Sequence, residues 1–290
     1  MRRQDGVALI SVLLVLSLAL LLVGGMLRSH RLLLHSSAQQ LQQVQLRQLG
    51  LAAEAWGQVV LEDSLKTLAG PVDLSQDWAR LAPALTLEDA RVDVDIEDLS
   101  GRLNLNPLLA HGQIDQVTLG RWSRLLALLD LPALSLPQVG ALEELSQLRL
   151  LPGIDGHTLQ RLEPWVALLP KDARLNINTA PQQILMTLDG LDAGPAKAVI
   201  ARRSDTPYAS VQAFTGDPLL SGLGLSSHGL DVSSRWFRIT VSVTQADRHL
   251  RLASDIERDP VTGHWTVRQR RFLPISPREL PYENLALPDR

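Results

Sequence analysis

The sequence predicts an α+β fold. It combines a long N-terminal helix, first membrane-spanning and then amphipathic, with an antiparallel sheet and a large inserted all-α domain. Three observations carry this. Residues 7–27 form an uncharged apolar run. Segments 92–97 and 236–243 alternate apolar and polar residues, the period of two that marks a strand with one buried face. Between them, 113–229 is leucine-rich and broken by Pro or Gly roughly every 15–25 residues, as in a set of short helices.

Composition narrows the function classes. The chain has 290 residues, 45% of them hydrophobic, which allows one large or two small domains beyond the first helix. A formal net charge of −3 gives no electrostatic case for binding nucleic acid or anionic lipid. The absence of cysteine excludes a disulfide framework and a thiolate metal site, and is compatible with an oxidising compartment.

About 20 apolar residues cross the hydrocarbon core as a helix, so 7–27 is long enough to span a membrane. Three readings of this N-terminus compete. A secretory signal would use Arg2 and Arg3 as its basic flank, but its apolar run is long and Asp5 is out of place. A plain signal anchor leaves Gly6 without a role, and Arg2 and Arg3 facing Arg28 and Arg31 leave the orientation open. The third reading rests on the leader MRRQDG, which ends in Gly6 and is followed at once by Val-Ala-Leu-Ile. It resembles the leader of type IV pilins and type II secretion pseudopilins. That resemblance implies cleavage by a prepilin peptidase between Gly6 and Val7, with Val7 then methylated.

From Arg28 the chain runs to Pro71 without proline, and Leu46, Leu49, Ala53, Trp56 and Val60 recur three and four apart on one helical stripe. Gln39, Gln40, Gln42, Gln43, Gln45 and Gln48 make the segment above the membrane polar without charge, suited to packing against helices of partner subunits. Gly70-Pro71 ends the helix. Val92, Val94 and Ile96 then alternate with Asp93, Asp95 and Glu97, whose alternation assigns them to a solvated strand face. Their spacing is not that of a calcium loop. Asp98-Leu-Ser-Gly101 reads as a turn, and Leu103 and Leu105, alternating with Asn104 and Asn106, read as a second strand up to Pro107.

In the helical zone two glycine turns look alike, Leu151-Pro-Gly-Ile-Asp-Gly-His157 and Asp189-Gly-Leu-Asp-Ala-Gly194. Asn178 or Thr179 is a candidate cap for a helix starting near Ala180-Pro181. Leu175-Asn-Ile-Asn-Thr-Ala180 with the second turn resembles the helix-hairpin-helix module of DNA-uptake proteins. In that module, backbone N–H groups at the hairpin and at a helix N-terminus hold a DNA phosphate. Here Asp192 stands where a small residue would admit a phosphate. Across 150–230, six Lys/Arg are set against seven Asp/Glu, a net −1 that leaves no basic footprint.

The last zone is a β-meander. Phe237, Ile239, Val241 and Val243 mark its first strand, Leu250, Leu252 and Ile256 its second, and Trp265 and Val267 follow the turn Asp259-Pro-Val-Thr-Gly263. Arg268, Arg270 and Arg271, offset by Asp255, Glu257 and Asp259, read as a solvated edge that discourages strand pairing. The Pro-rich tail from Pro274 reads as extended or loosely ordered. No nucleophile elbow, phosphate loop or metalloprotease motif is present, and the seven histidines are scattered without an i, i+4 pair.

Taken in order, these pieces resemble the type II secretion minor pseudopilin K family over nearly the whole chain. Its most specific residues here are the Gly6/Val7 junction, Leu103-Asn-Leu-Asn106, Leu151-Pro-Gly153, Leu175-Asn-Ile-Asn-Thr-Ala180 and Ser234-Arg-Trp-Phe237. The resemblance implies a leader at 1–6, an N-terminal helix at 7–65 with 7–27 in the membrane, and a pilin-like α/β domain. That domain is split into 66–112 and 230–290 around an inserted helical (SAM-like or helix-hairpin-helix-like) domain at 113–229. It also implies a non-enzymatic subunit, single-pass in the inner membrane with its globular part in the periplasm. Such a subunit sits at the tip of a pseudopilus beside minor pseudopilins I and J, serves the export of folded proteins and binds no nucleic acid. Most pilin-type subunits carry glutamate at the fifth mature position; counting from Val7, that position is Ser11. Calcium is implied by the family alone, and no acidic cluster maps a site for it. A membrane-anchored helix-hairpin-helix DNA-uptake protein is the alternative, and a secreted enzyme without a recognisable motif is a third.

Overall fold

The computed structural model describes residues 5–66, 70–81, 84–87 and 89–274, with the backbone alone at 5–10, 31–36 and 38. The chain opens with α1 (Asp5–Ser64), which at 1.5 Å per residue is about 90 Å long. Strands β1 (Leu85–Leu87) and β2 (Ala90–Asp98) follow. The helical body holds β3 (Leu103–Asn104), α2 (Asn106–Leu109), α3 (Gln116–Leu128), α4 (Gly156–Leu162) and β4 (Val166–Ala167). It continues through β5 (Leu175–Asn176), α5 (Gln182–Leu185), α6 (Ala193–Asp205), α7 (Val211–Thr215) and β6 (Leu230–Asp231). The chain returns to the sheet as β7 (Trp236–Gln245), β8 (Arg248–Arg258) and β9 (Trp265–Leu273).

Five strands form one antiparallel sheet in the order β1-β2-β7-β8-β9. Its register puts Ile96, Ile239 and Ser254 in one row and Val94, Val241 and Leu252 in the next, all on the face under α1. Val92, Ile96, Phe237, Ile239, Val241, Val243, Leu252 and Ile256 are buried there against Leu46, Ala53 and Leu61 of the helix. Each such side chain contributes about 1.5–3 kcal/mol by leaving water. Trp78, Phe237 and Trp265 close the far end as two edge-to-face pairs, with centroids 5.2 and 5.6 Å apart.

The buried stripe of α1 is rotated from the one expected. Leu46, Gly50, Ala53, Gly57 and Leu61 face the sheet, whereas Trp56 is 39% exposed. Packing at close range explains the difference. A Cβ on Gly50 would lie 3.0 Å from Leu250 Cδ2, and one on Gly57 3.1 Å from Ile239 Cγ2. A tryptophan facing inward would hold the helix off the sheet.

Two further expectations are corrected. Leu103-Asn-Leu-Asn106 is not the hairpin partner of β2. Only Leu103–Asn104 is strand, and it pairs in parallel with Val166–Ala167, because both asparagine side chains are drawn to distant loops. The helical body also starts earlier than 113: Leu103, Leu105, Leu108 and Leu109 share one core with Trp122, Leu148, Ile184, Phe214 and Leu230. The body is itself twofold in plan. Each half opens on a Leu-Asn strand closed in parallel by a returning strand, β3 with β4 and β5 with β6.

Candidate assembly surfaces and the buried junction

From Ser11 to His30, α1 has a mean hydropathy of 2.2 and none of it is buried within the molecule, which fits a membrane anchor. Ser17 inside this stretch bonds its hydroxyl to the Leu14 carbonyl at 2.9 Å, satisfying its polar group within the helix. The backbone is helical through Gly6 and Val7; the Val7 side chain and the first four leader residues lie outside the described residues. Ser11 sits on the exposed helix surface at the start of the span. The tail beyond 274 also lies outside the described residues.

Above the span, every described side chain from Ser37 to Gln45 is exposed. Leu41 and Val44 are 61% and 51% exposed, and higher up Leu51 and Val59 are uncovered, with Trp56 half-exposed on the flank. At 100° per residue, 41, 44, 51, 55 and 59 fall on the face opposite Leu46, Gly50, Gly57 and Leu61. The helix therefore carries two apolar faces, and its own domain covers one.

The helical body joins the sheet through a buried polar node. Asp98, the last residue of β2, accepts hydrogen bonds from Ser100 N (2.8 Å), Asn176 Nδ2 (2.9 Å), Thr179 Oγ1 (2.7 Å) and Ser234 Oγ. Asn176 also donates to the Val72 carbonyl at 3.0 Å, and Val72 N donates to Val232 O at 2.8 Å. The segment leaving α1, the end of β2, the Leu175-Asn-Ile-Asn-Thr-Ala180 motif and the approach to β7 thus meet at one point. Burial pushes the Asp98 carboxyl up to about 6, against the pull of those four hydrogen bonds.

The asparagines of both motifs brace backbone rather than cap helices. Asn104 Oδ1 accepts from Leu169 N (3.0 Å), and Asn106 brackets Leu142 through both its N–H and C=O groups. Asn178 likewise brackets Tyr208, donating to its carbonyl and accepting from its N–H, each at 2.9 Å. The expected caps are therefore absent at α5, whose N-cap is Pro181 with no side-chain bond.

Both glycine turns are built as read, with Gly153 and Gly190 at φ +80° and +72°. Their helix N-termini carry carboxylates. Asp155 accepts from Thr158 N at 2.7 Å, and Asp192 is the N-cap residue of α6. A phosphate approaching either would meet a like charge. Arg203 is buried, donating to the Ile177 carbonyl, and Arg202 lies 3.8 Å from Asp217. Nothing in this geometry favours DNA uptake. Among the described residues, no three His, Asp or Glu side chains gather into a group that could hold a metal ion.

Two buried carboxylates escape the sequence reading. One is Asp98. The other is Glu54 of α1, 2% exposed, held by Ser254 Oγ at 2.5 Å and by Arg270, whose Nε and Nη2 reach it at 2.8 and 2.7 Å. Both sit in register with core residues, Asp98 two beyond Ile96 and Glu54 midway between Gly50 and Gly57. That register was a signal available in the sequence.

A sequence profile described as type II secretion system (T2SS), protein K, matches residues 175–233, the span that holds the junction motif. Type II secretion system protein K of Pseudomonas aeruginosa is 30% identical over 89% of this chain and 90% of its own length. The Klebsiella pneumoniae protein of the same name is 26% identical over 93% of this chain and 97% of its length. The fold matches a chain in the crystal structure of the GspK-GspI-GspJ complex of the enterotoxigenic Escherichia coli type 2 secretion system. The TM-score is 0.71 at 22% identity, covering 83% of this chain and all of that one. The span-length first helix, the split sheet and this kinship lead to one conclusion: the chain belongs to the type II secretion system protein K family of minor pseudopilins.

Proposed function

We propose that this protein caps the tip of a periplasmic pseudopilus, working by assembly rather than catalysis, with minor pseudopilins I and J as its neighbours. The second apolar face of α1 supports this reading. Leu41, Val44 and Val59 are more than half exposed on a helix that projects well beyond its own sheet. From Ser37 to Gln45 every described side chain is exposed, a stalk of about 13 Å at 1.5 Å per residue. Helices of neighbouring pilin-like subunits are the natural cover, as the Escherichia coli protein K crystallised with I and J suggests. The span Ser11–His30 holds the subunit in the inner membrane before assembly. Processing between Gly6 and Val7, with methylation of Val7, frees that helix to enter the bundle. At the fifth mature position Ser11 is neutral, and a tip subunit has no subunit above it whose N-terminal amine requires a carboxylate.

Two measurements test the proposal together. Intact-mass analysis of the chain made with and without prepilin peptidase should give a mature, methylated start at Val7 only with the enzyme. Val44→Glu and Val59→Glu should weaken co-purification with I and J by at least about tenfold, since an unpaired charge buried between helices costs several kcal/mol. A chain that starts at Met1 in both strains, or charged variants that still assemble and secrete normally, would overturn it.

A further inference from the structure

Asp98 is buried, and all four groups that donate to it are neutral. The charged groups on the surrounding elements are engaged elsewhere. Asp73, after α1, accepts from Ser75, while Glu97 and Arg102, on either side in sequence, pair with each other. Asp77 and Arg80, on the turn carrying Trp78, line a different groove beside Val92. Arg203 is spent on the Ile177 carbonyl; Asp231 accepts from Val232 N and Ser233 N, and Arg235 pairs with Asp172. Among the described residues no cation pairs with Asp98, and the nearest, Arg102, is held by Glu97; a full negative charge buried so costs free energy and favours the protonated acid.

The node can also accommodate the proton. Ser234 Oγ lies 2.8 Å from Ser100 Oγ, so its hydroxyl can turn from Asp98 to Ser100 and accept the hydrogen of a protonated carboxyl. A pocket of about 100 Å³, lined by Trp78, Ile96, Gly101 and Thr179 and walled by the paired Glu97 and Arg102, adjoins the carboxylate. We propose that this node is a proton-operated latch: gaining a proton fastens the helical body to the sheet, and losing it slackens the seam. The set of the helical body on its stalk then follows the pH of its compartment.

Linkage fixes the direction. An opened seam returns Asp98 to water, where its carboxyl titrates near 3.8, whereas the closed seam holds the proton up to about 6. Protons therefore favour the closed state. Its advantage is complete below pH 4 and is lost as pH rises through 6. The opening constant should rise about tenfold from pH 5 to pH 8 and level off above pH 7.

Hydrogen–deuterium exchange on the full-length chain in detergent micelles, corrected for the intrinsic pH dependence of exchange, reads this directly. Amides at 177–180 and 232–236 should open about tenfold more at pH 8 than at pH 5, with Val241 and Leu252 unmoved as references. Asp98→Asn should flatten the profile. Thr179→Val, which removes one donor to the ionised carboxylate, should move the midpoint upward, and this holds should the asparagine variant fail to fold. A flat wild-type profile, a change of opposite sign, or a midpoint unmoved in Thr179→Val would each overturn the latch.

Discussion

Removing Arg270 from the Glu54 ion pair should destabilise the sheet by about 2–3 kcal/mol. Glu54 is 2% exposed beneath α1, and its two oxygens take three hydrogen bonds from Arg270 and one from Ser254. In Arg270→Ala the carboxylate keeps Ser254 Oγ at 2.5 Å and a 3.3 Å bond from Gln58 Nε2, with no cation. Breaking a buried pair in this way costs about 3–5 kcal/mol. The arginine side chain is 47% exposed, so water reaches the carboxylate once the arginine is gone, which lowers the cost to about 2–3 kcal/mol. Against a typical total of about 5–15 kcal/mol, the loss is large.

Replacing both partners should restore much of it. Glu54→Leu with Arg270→Met removes the buried charge and its counterion together, and is expected to fall within about 1 kcal/mol of the parent. Hydrogen exchange of β8 amides flanking Ser254 in the full-length chain gives the four corners of the cycle locally, free of unfolding in the helical body. A coupling energy above about 1.5 kcal/mol fits the argument. An Arg270→Ala cost below about 0.5 kcal/mol, or a double variant equal to the sum of the singles, would refute it.

Gly57→Leu should destabilise the helix–sheet contact by about 1–3 kcal/mol through overpacking, since even a Cβ there lies 3.1 Å from Ile239 Cγ2; denaturant midpoints check this. Asn176→Ala removes donors to both Asp98 and the Val72 carbonyl and leaves buried acceptors short, at about 1–3 kcal/mol each. Limited proteolysis at the seam should then be faster, while the helical core around Trp122 stays protected.

Where periodicity was long and unbroken, the fold was legible. The 60-residue helix, β2 with its solvated Asp93 and Asp95, and the meander β7-β8-β9 all follow from spacing alone. Short motifs were not. Leu103-Asn-Leu-Asn106 has the alternation of a strand, but four residues carry too few ladder bonds to outweigh asparagines that bracket Leu142 and Leu169. Trp56 fits the helical period of the stripe, yet glycines at 50 and 57 set a helix–sheet distance with no room for an indole. Spacing fixes which residues share a face, and only packing fixes how far that face turns.

The polar residues of Leu175-Asn-Ile-Asn-Thr-Ala180 show why likeness to a DNA-binding module did not carry its chemistry. Asn176 and Thr179 point into the protein, onto Asp98, and Asn178 is consumed by Tyr208. Donors spent inside cannot reach a phosphate; of the helix N-termini that remain, one is capped by the Asp155 carboxylate and the other carries Asp192 as its N-cap residue. What marks the reassignment in the sequence is Asp98 itself. Val92, Val94, Ile96 and Asp98 share one parity along β2, so the period that buries the first three must bury the carboxylate as well. A buried charge without a cation needs several neutral donors, and the motif some eighty residues later supplies two of them. In this chain the motif fastens a secretion subunit's helical body to its sheet.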